Sequence, residues 1–213
     1  MAIWFTAQQK DLRPGVLESI GRFRGACAER MGEAPLHKAE LDGQDAFDHA
    51  PNALHVVEWA REAITFSFRL LPTIGPTPLA AARDDLLGGA PPPRDPQIWE
   101  WGRCAFAASG AQTVRANLHQ RRMHVAALEL FLGLRVRAVS ALVHPSTITT
   151  LLEIGYRVQP LALPRRHAGR MVAPVLLHPR EETLERARAM FEIFEPVLDI
   201  ESTRPPAAPA IYA

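Results

Sequence analysis

The chain has 213 residues, 47% hydrophobic and 22% charged, a composition that excludes general disorder and fibrous classes and is long enough for a well-formed core. Its formal net charge of +1 gives no bulk attraction to nucleic acid or to a membrane surface. Cys27 and Cys104 are the only cysteines, too few for a disulfide framework or a cysteine-rich metal centre, and no signal-like or membrane-spanning apolar run is found, so a cytoplasmic protein is expected.

In chain order, residues 14–32 show the three-to-four spacing of an amphipathic helix, with Val16, Leu17, Ile20, Phe23 or Arg24, Cys27 and Met31 on one face and Gly32 as its stop. A polar stretch follows over 33–53, carrying Asp42, Asp45 and Asp48. Residues 54–59 and 64–71 are strand candidates joined by a short connection, hence a hairpin. The next segment is broken by Pro and Gly, with a short helix around 79–87 ended by Gly88-Gly89. A strand over 98–106 leads to a long helix up to Gly133, marked by Val114, Leu118, Val125, Leu128 and Leu132. Residues 136–143 form a strand, and Ser146 caps a helix over 147–154 that Gly155 ends. Strands over 156–163 and 171–177 precede a last helix carrying Leu184, Ala187, Phe191 and Phe194, and the tail 202–213 is expected to be mobile. No repeat or linker divides the chain, so residues 1–201 are read as one α/β domain, a three-layer α-β-α arrangement around a mixed sheet.

Two of these strands carry charge where buried strands are usually apolar. Arg69 shares a face with Thr65 and Ser67, opposite Phe66, Phe68 and Leu70. Glu100 and Arg103 differ in parity, and a β-bulge at Trp101-Gly102 would bring them to one side. From the residues alone, Glu100 with Arg103 is either a structural ion pair or part of a site. Asp45 and Asp48 are either turn carboxylates or ligand contacts. Arg24 is either a snorkelling surface residue or a site residue. Trp99 and Trp101, like the two cysteines, read as core; His144 belongs to the turn at Pro145. No His or Cys spacing matches a metal site.

Three stretches resemble the acyl-homoserine-lactone synthases, bacterial autoinducer synthases with the fold of the GNAT acyltransferases. They are Asp45-Ala46-Phe47-Asp48, Phe68-Arg69-Leu70-Leu71-Pro72-Thr73, and Trp99-Glu100-Trp101-Gly102-Arg103 with its approach Pro93-Arg94-Asp95-Pro96. A fourth is Ser140-Ala141-Leu142-Val143-His144-Pro145. The chain departs from the family at Ala28, or Cys27 if the alignment slips by one, and near Glu33, where aromatics of a closing lobe usually stand, and at Gly102, which replaces a Ser.

The resemblance implies a largely antiparallel central sheet and a reaction between S-adenosylmethionine, a substrate rather than a resident cofactor, and an acyl thioester on acyl carrier protein or CoA. It assigns catalysis to Glu100, Asp45 and Arg103, and substrate binding to Arg24, Asp48, Arg69, Phe106 and Ser140. Glu100 is the expected general base for the amine, Arg69 and Arg103 partners for a carboxylate, and Ser140 either a donor to a 3-oxo acyl group or an ordinary strand serine. Arg115, Arg121 and Arg122, or Arg165, Arg166 and Arg170, are either solvated faces or a dock for an acidic carrier protein. The competing readings are another GNAT-type N-acyltransferase and a non-catalytic relative.

Overall fold

The computed structural model describes residues 1–6, 15–30, 43–61, 63–108, 117–167 and 169–199. The expected features at Met31, Gly32, Glu33, Asp42, Val114, Arg115 and the 202–213 tail lie outside the described residues. The strands are β1 (Ala2–Thr6), β2 (Leu54–Ala60), β3 (Ala63–Pro72), β4 (Ile98–Phe106), β5 (Ala138–Val143), β6 (Arg157–Pro160), β7 (Arg165–His167) and β8 (Arg170–His178). The helices are α1 (Val16–Arg30), α2 (Pro78–Ala81), α3 (Arg83–Leu87), α4 (Leu118–Gly133), α5 (Thr147–Ile154) and α6 (Glu181–Phe191). The eight strands form a mixed sheet in the order β1-β2-β3-β4-β5-β8-β6, with β7 also on β8. The chain forms two compact units, one of Met1–Arg69, Arg103–Ala126 and the residues from Pro196 onward, the other of Leu70–Gly102 and Ala127–Glu195.

In the first unit β1 pairs antiparallel with β2 from Ala2↔Glu58 to Thr6↔Leu54. Sequence reading passes over β1, because its five residues are too few to show alternation. Ile3 and Phe5 nevertheless pack with Val16, Ile20 and Val57. Helix α1 turns Val16, Ile20, Arg24 and Cys27 inward at spacings of four, four and three, so Arg24 lies on the buried stripe and does not snorkel. Asn117 precedes helix α4, and its Oδ1 accepts from the amides of His119 (3.0 Å) and Gln120 (3.1 Å) in the manner of a cap.

Gly43 sets the approach of the site loop to α1. Its φ is +69°, and a Cβ there would lie 1.8 Å from the carbonyl oxygen of Gly21 and 2.8 Å from the amide nitrogen of Gly25. Both obstacles are backbone, so no rotamer change relieves them. Gly43→Ala is expected to lose more than about 2 kcal/mol of stability. Gly102→Ala, with nothing within 4 Å of its Cβ, should stay within about 0.5 kcal/mol of wild type. Urea denaturation of the two variants checks this; equal losses would contradict the close approach.

In the second unit β4 runs parallel to β5 through Ile98↔Ala138, Trp99↔Val139 and Glu100↔Ser140. Strand β8 pairs antiparallel with β5, β6 and β7. Trp101 is core, as expected, with its ring edge-on to Phe131 at 5.4 Å. Gly88 and Gly155 end α3 and α5 in the left-handed conformation, as the sequence predicts.

Several expectations are corrected. The helix around 79–87 is two short helices, because Ala82 (φ −100°, ψ 18°) leaves helical geometry between them. Ser146 does not cap α5: its backbone is helical and its hydroxyl pairs with His144 Nδ1 at 2.8 Å. Phe194 lies beyond α6 and is 70% exposed. Cys27 is buried, while Cys104 is exposed.

The bulge in β4 is present. Ala107 donates to Thr65 and Thr73 donates to Ile98, and between these bonds β4 has one residue more than β3. The left-handed residue is Arg103 (φ +56°), not Gly102. A non-glycine residue in this region costs about 1–2 kcal/mol, so the surroundings of Arg103 must hold it there.

Candidate functional site

The first unit gathers Arg24, Asp45, Asp48, Arg69 and Arg103 into one network. Asp45 caps the 3-10 turn Ala46–His49: its Oδ1 accepts from the amides of Phe47 (2.9 Å) and Asp48 (3.1 Å). Asp48 Oδ2 accepts in return from the Asp45 amide at 2.9 Å. This reciprocal capping box spends one oxygen of each carboxylate on the turn and fixes both groups.

Arg69 meets them from β3. Its Nη1 donates to Asp45 Oδ1 (2.5 Å) and Asp48 Oδ1 (2.8 Å), and its Nη2 to Asp45 Oδ2 (3.1 Å). The guanidinium also lies 5.8 Å from the centroid of the Phe47 ring. Arg24 reaches from α1, with Nη1 donating to Asp48 Oδ1 at 2.8 Å and Nε to Ser67 Oγ at 3.3 Å. Arg103 completes the set, its Nε 3.7 Å from Asp45 Oδ2 and its Nη2 donating to the Gly43 carbonyl. The turn-carboxylate reading of Asp45 and Asp48 holds, and the same two groups also anchor the arginines.

Three guanidinium groups face two carboxylates, leaving one positive charge in excess among these residues. Burial pushes the Arg24 guanidinium down to about 10, against the attraction of Asp48 and together with repulsion from Arg103 and Arg69. Arg24 Nη2 is buried and has no hydrogen-bond partner among the described residues. Burial alone would raise the Asp48 carboxyl, but Arg24 and Arg69 override it and hold the group well below the usual carboxylate range.

Sequence reasoning missed His55 and Ser67. His55 is fully buried on β2, its ring stacked on Phe5 at 5.7 Å, and its Nε2–H donates to the Asp48 carbonyl at 2.9 Å. Burial, reinforced by Arg24, lowers His55 to about 4, so it is neutral at pH 7 and does not compete for the aspartates. Burial lowers His124 to about 4 as well. The only sequence signal for either was a titratable residue inside an otherwise apolar segment.

These histidines set an acid limit. A folded-state value below the unfolded 6.5 means that the unfolded chain takes up protons first, so stability falls as pH drops from about 6.5 to 4. Below about 4 Asp48 joins, its depressed value holding stability that is lost as it protonates. The urea midpoint should therefore be clearly lower at pH 4.5 than at pH 7.5. An unchanged midpoint would contradict the neutral buried histidines.

Phe106, at the end of β4, accepts the Cys27 thiol on its carbonyl oxygen at 3.4 Å and is half-buried. Arg122, one of the candidate docking arginines, is a bidentate partner of Glu58, which also accepts from Thr65 Oγ1 at 2.9 Å; it is a structural contact. In the second unit Glu100 is 6% exposed, and both its carboxylate oxygens accept from the Leu79 amide, at 3.1 and 3.2 Å. Ser140, paired with Glu100 across β4 and β5, is fully buried and its hydroxyl has no hydrogen-bond partner among the described residues. Arg165 and Arg166 are exposed on β7. Among the described residues no group of three or more His, Cys, Asp or Glu is placed to hold a metal ion, and no helix is long and apolar enough to cross a membrane.

No protein-family model matches the chain, and a search of curated proteins finds no match. Solved structures do match. A CoA-dependent acyl-homoserine lactone synthase, BjaI, with SAM and isopentyl-CoA, superposes with a TM-score of 0.79 at 22% identity, covering 93% of this chain and 92% of that one. Another CoA-dependent synthase, MesI, gives 0.77 at 25% identity, covering 93% and 98%. FeeM, an N-acyl amino acid synthase from uncultured soil microbes, gives 0.61 at 12% identity, covering 89% and 93%.

Proposed function

We propose that this chain, which has the GNAT-like α/β fold of the acyl-homoserine lactone synthases, is itself such a synthase, a cytoplasmic acyltransferase acting on S-adenosylmethionine. The observation that carries the proposal is the buried network of three arginines on two aspartates, in which Arg24 Nη2 has no hydrogen-bond partner among the described residues. A buried site with one positive charge in excess and a free donor suits the carboxylate of an amino acid. S-adenosylmethionine brings that carboxylate together with an amine and a sulfonium.

The chemistry follows from these groups. Glu100 takes a proton from the cationic amine, whose nitrogen then attacks the acyl carbonyl; the C–N bond forms and the thioester C–S bond breaks, releasing the carrier thiol. The carboxylate of the same molecule then displaces methylthioadenosine from the sulfonium-bearing carbon, closing the lactone. Asp45 and Asp48 hold Arg24, Arg69 and Arg103 in place and balance the positive amine and sulfonium. Acyl-CoA is the donor favoured by the likeness to two CoA-dependent synthases. Exposed Arg165 and Arg166 also fit an acyl carrier protein's acidic surface.

Ser140 reads as the acyl-chain contact, because a buried hydroxyl without a partner is completed by an acceptor on the ligand. Ser140→Ala is expected to reduce kcat/KM for 3-oxoacyl donors about tenfold and to leave unsubstituted donors within about twofold. Equal effects on both would return Ser140 to an ordinary strand serine.

The reading is tested by expressing the chain in bacteria that make no such signal and analysing the medium by mass spectrometry. Acyl-homoserine lactone is expected with the wild type. Its absence, with an N-acyl amino acid in its place, would transfer the assignment to the second reading, an N-acyltransferase of the kind that FeeM represents on the same fold.

A further inference from the structure

We infer that the backbone N–H of Leu79 is the positioning donor for Glu100, an inference that rests on Glu100 being the general base. The turn Thr77-Pro78-Leu79-Ala80 opens α2, and the first amides of a helix have no intrahelical acceptor. Here they can be accounted for one by one. Pro78 has no N–H to satisfy. The Ala80 amide goes to Thr77 Oγ1 at 3.3 Å, and the Ala81 amide closes the first turn on the Thr77 carbonyl at 2.9 Å. The Leu79 amide alone of these leaves the turn, and it points at both oxygens of Glu100.

The donor is held from the other side as well. Leu79 is 1% exposed and packs with Leu86 and Leu87, with Leu142 and Val172 against the same cluster. Thr77 is buried beneath the turn. A donor built into packed backbone cannot follow the carboxylate if it rotates, so the bond selects one carboxylate orientation. It also favours the ionised form over the protonated one, since an N–H donor bonds a carboxylate more strongly than the neutral acid. The bond therefore favours for Glu100 the state and orientation that a base requires before the amine arrives.

The test replaces Leu79 by its α-hydroxy analogue through codon reassignment in the full chain, which keeps the side chain and turns the amide N–H into an ester oxygen. Leu79→Ala, which keeps the N–H and truncates the side chain, is the contrast. Two readouts are taken. In the resting protein, the titration of 13C-labelled Glu100 is followed by NMR; it should move to higher pH in the ester variant, and by less in Leu79→Ala, which keeps the donor but loosens the packing that holds it. In turnover, kcat of the ester variant should fall about tenfold or more, with KM for S-adenosylmethionine within about twofold and the acid limb of the rate profile moved upward. An unmoved Glu100 titration in the ester variant would overturn the inference. A wild type that titrates as described but makes no lactone would instead refute the synthase reading and leave the Glu100–Leu79 coupling standing.

Discussion

Glu100→Gln is expected to lower the rate of acyl transfer by about 10²–10⁴-fold while leaving the melting temperature and the circular dichroism spectrum at wild-type values. Glutamine has nearly the same shape as glutamate, and its Oε1 still accepts from the Leu79 amide that both Glu100 oxygens now share. What disappears is a group able to take the proton of the amine at neutral pH. Glu100 is buried, so the loss is not made good by bulk water at that position. The variant should bind S-adenosylmethionine with close to wild-type affinity, since the arginines and aspartates assigned to its carboxylate, amine and sulfonium are untouched. A fully active Glu100→Gln enzyme would remove Glu100 from the mechanism.

Asp48→Asn carries the second large effect, on stability and binding together. Asp48 Oδ1 is shared by Arg24 and Arg69, both at 2.8 Å. Neutralising it leaves three guanidinium groups facing Asp45 alone, in a place where charge is poorly hydrated. Breaking a buried ion pair by removing one partner costs about 3–5 kcal/mol, because the stranded charge remains. The loss should be read as a lower urea midpoint at pH 7.5. Adding Arg24→Met to Asp48→Asn should recover part of it, since the double variant removes one of the stranded charges. Simple addition of the two single losses would show that Asp48 and Arg24 act independently, contrary to their 2.8 Å contact.

The candidate residues of each unit were legible in the sequence where charged residues stood in place of the apolar ones the pattern demanded. Arg69 in the run Thr65–Leu71 and Glu100 between two tryptophans broke the expected strand composition, and both prove buried. The bulge followed from parity, since two charges of opposite parity on one strand share a side only if a residue is added. Which residue of the bulge is left-handed does not follow from parity: it is Arg103, whose guanidinium donates to the Gly43 carbonyl.

The remainder was not legible for physical reasons. The contact of Gly43 with Gly21 and Gly25 joins residues about twenty apart, and glycine carries no pattern that announces a long-range approach. Ser146 has the residue type of a helix cap, but its hydroxyl was claimed by His144, a local competition that residue type does not decide. Leu79 stands in the sequence only at the start of an expected short helix; its amide, the part that meets Glu100, is the same in every residue but proline.

The most direct measurement of the central claim is the stoichiometry of one reaction. Purified protein is given S-adenosylmethionine and acyl-CoA, and free CoA thiol and methylthioadenosine are counted over the same interval. Equal release of the two, with acyl-homoserine lactone formed in the same amount, is the result predicted. Release of CoA without methylthioadenosine would show acyl transfer without lactone closure and would contradict the assignment as a synthase.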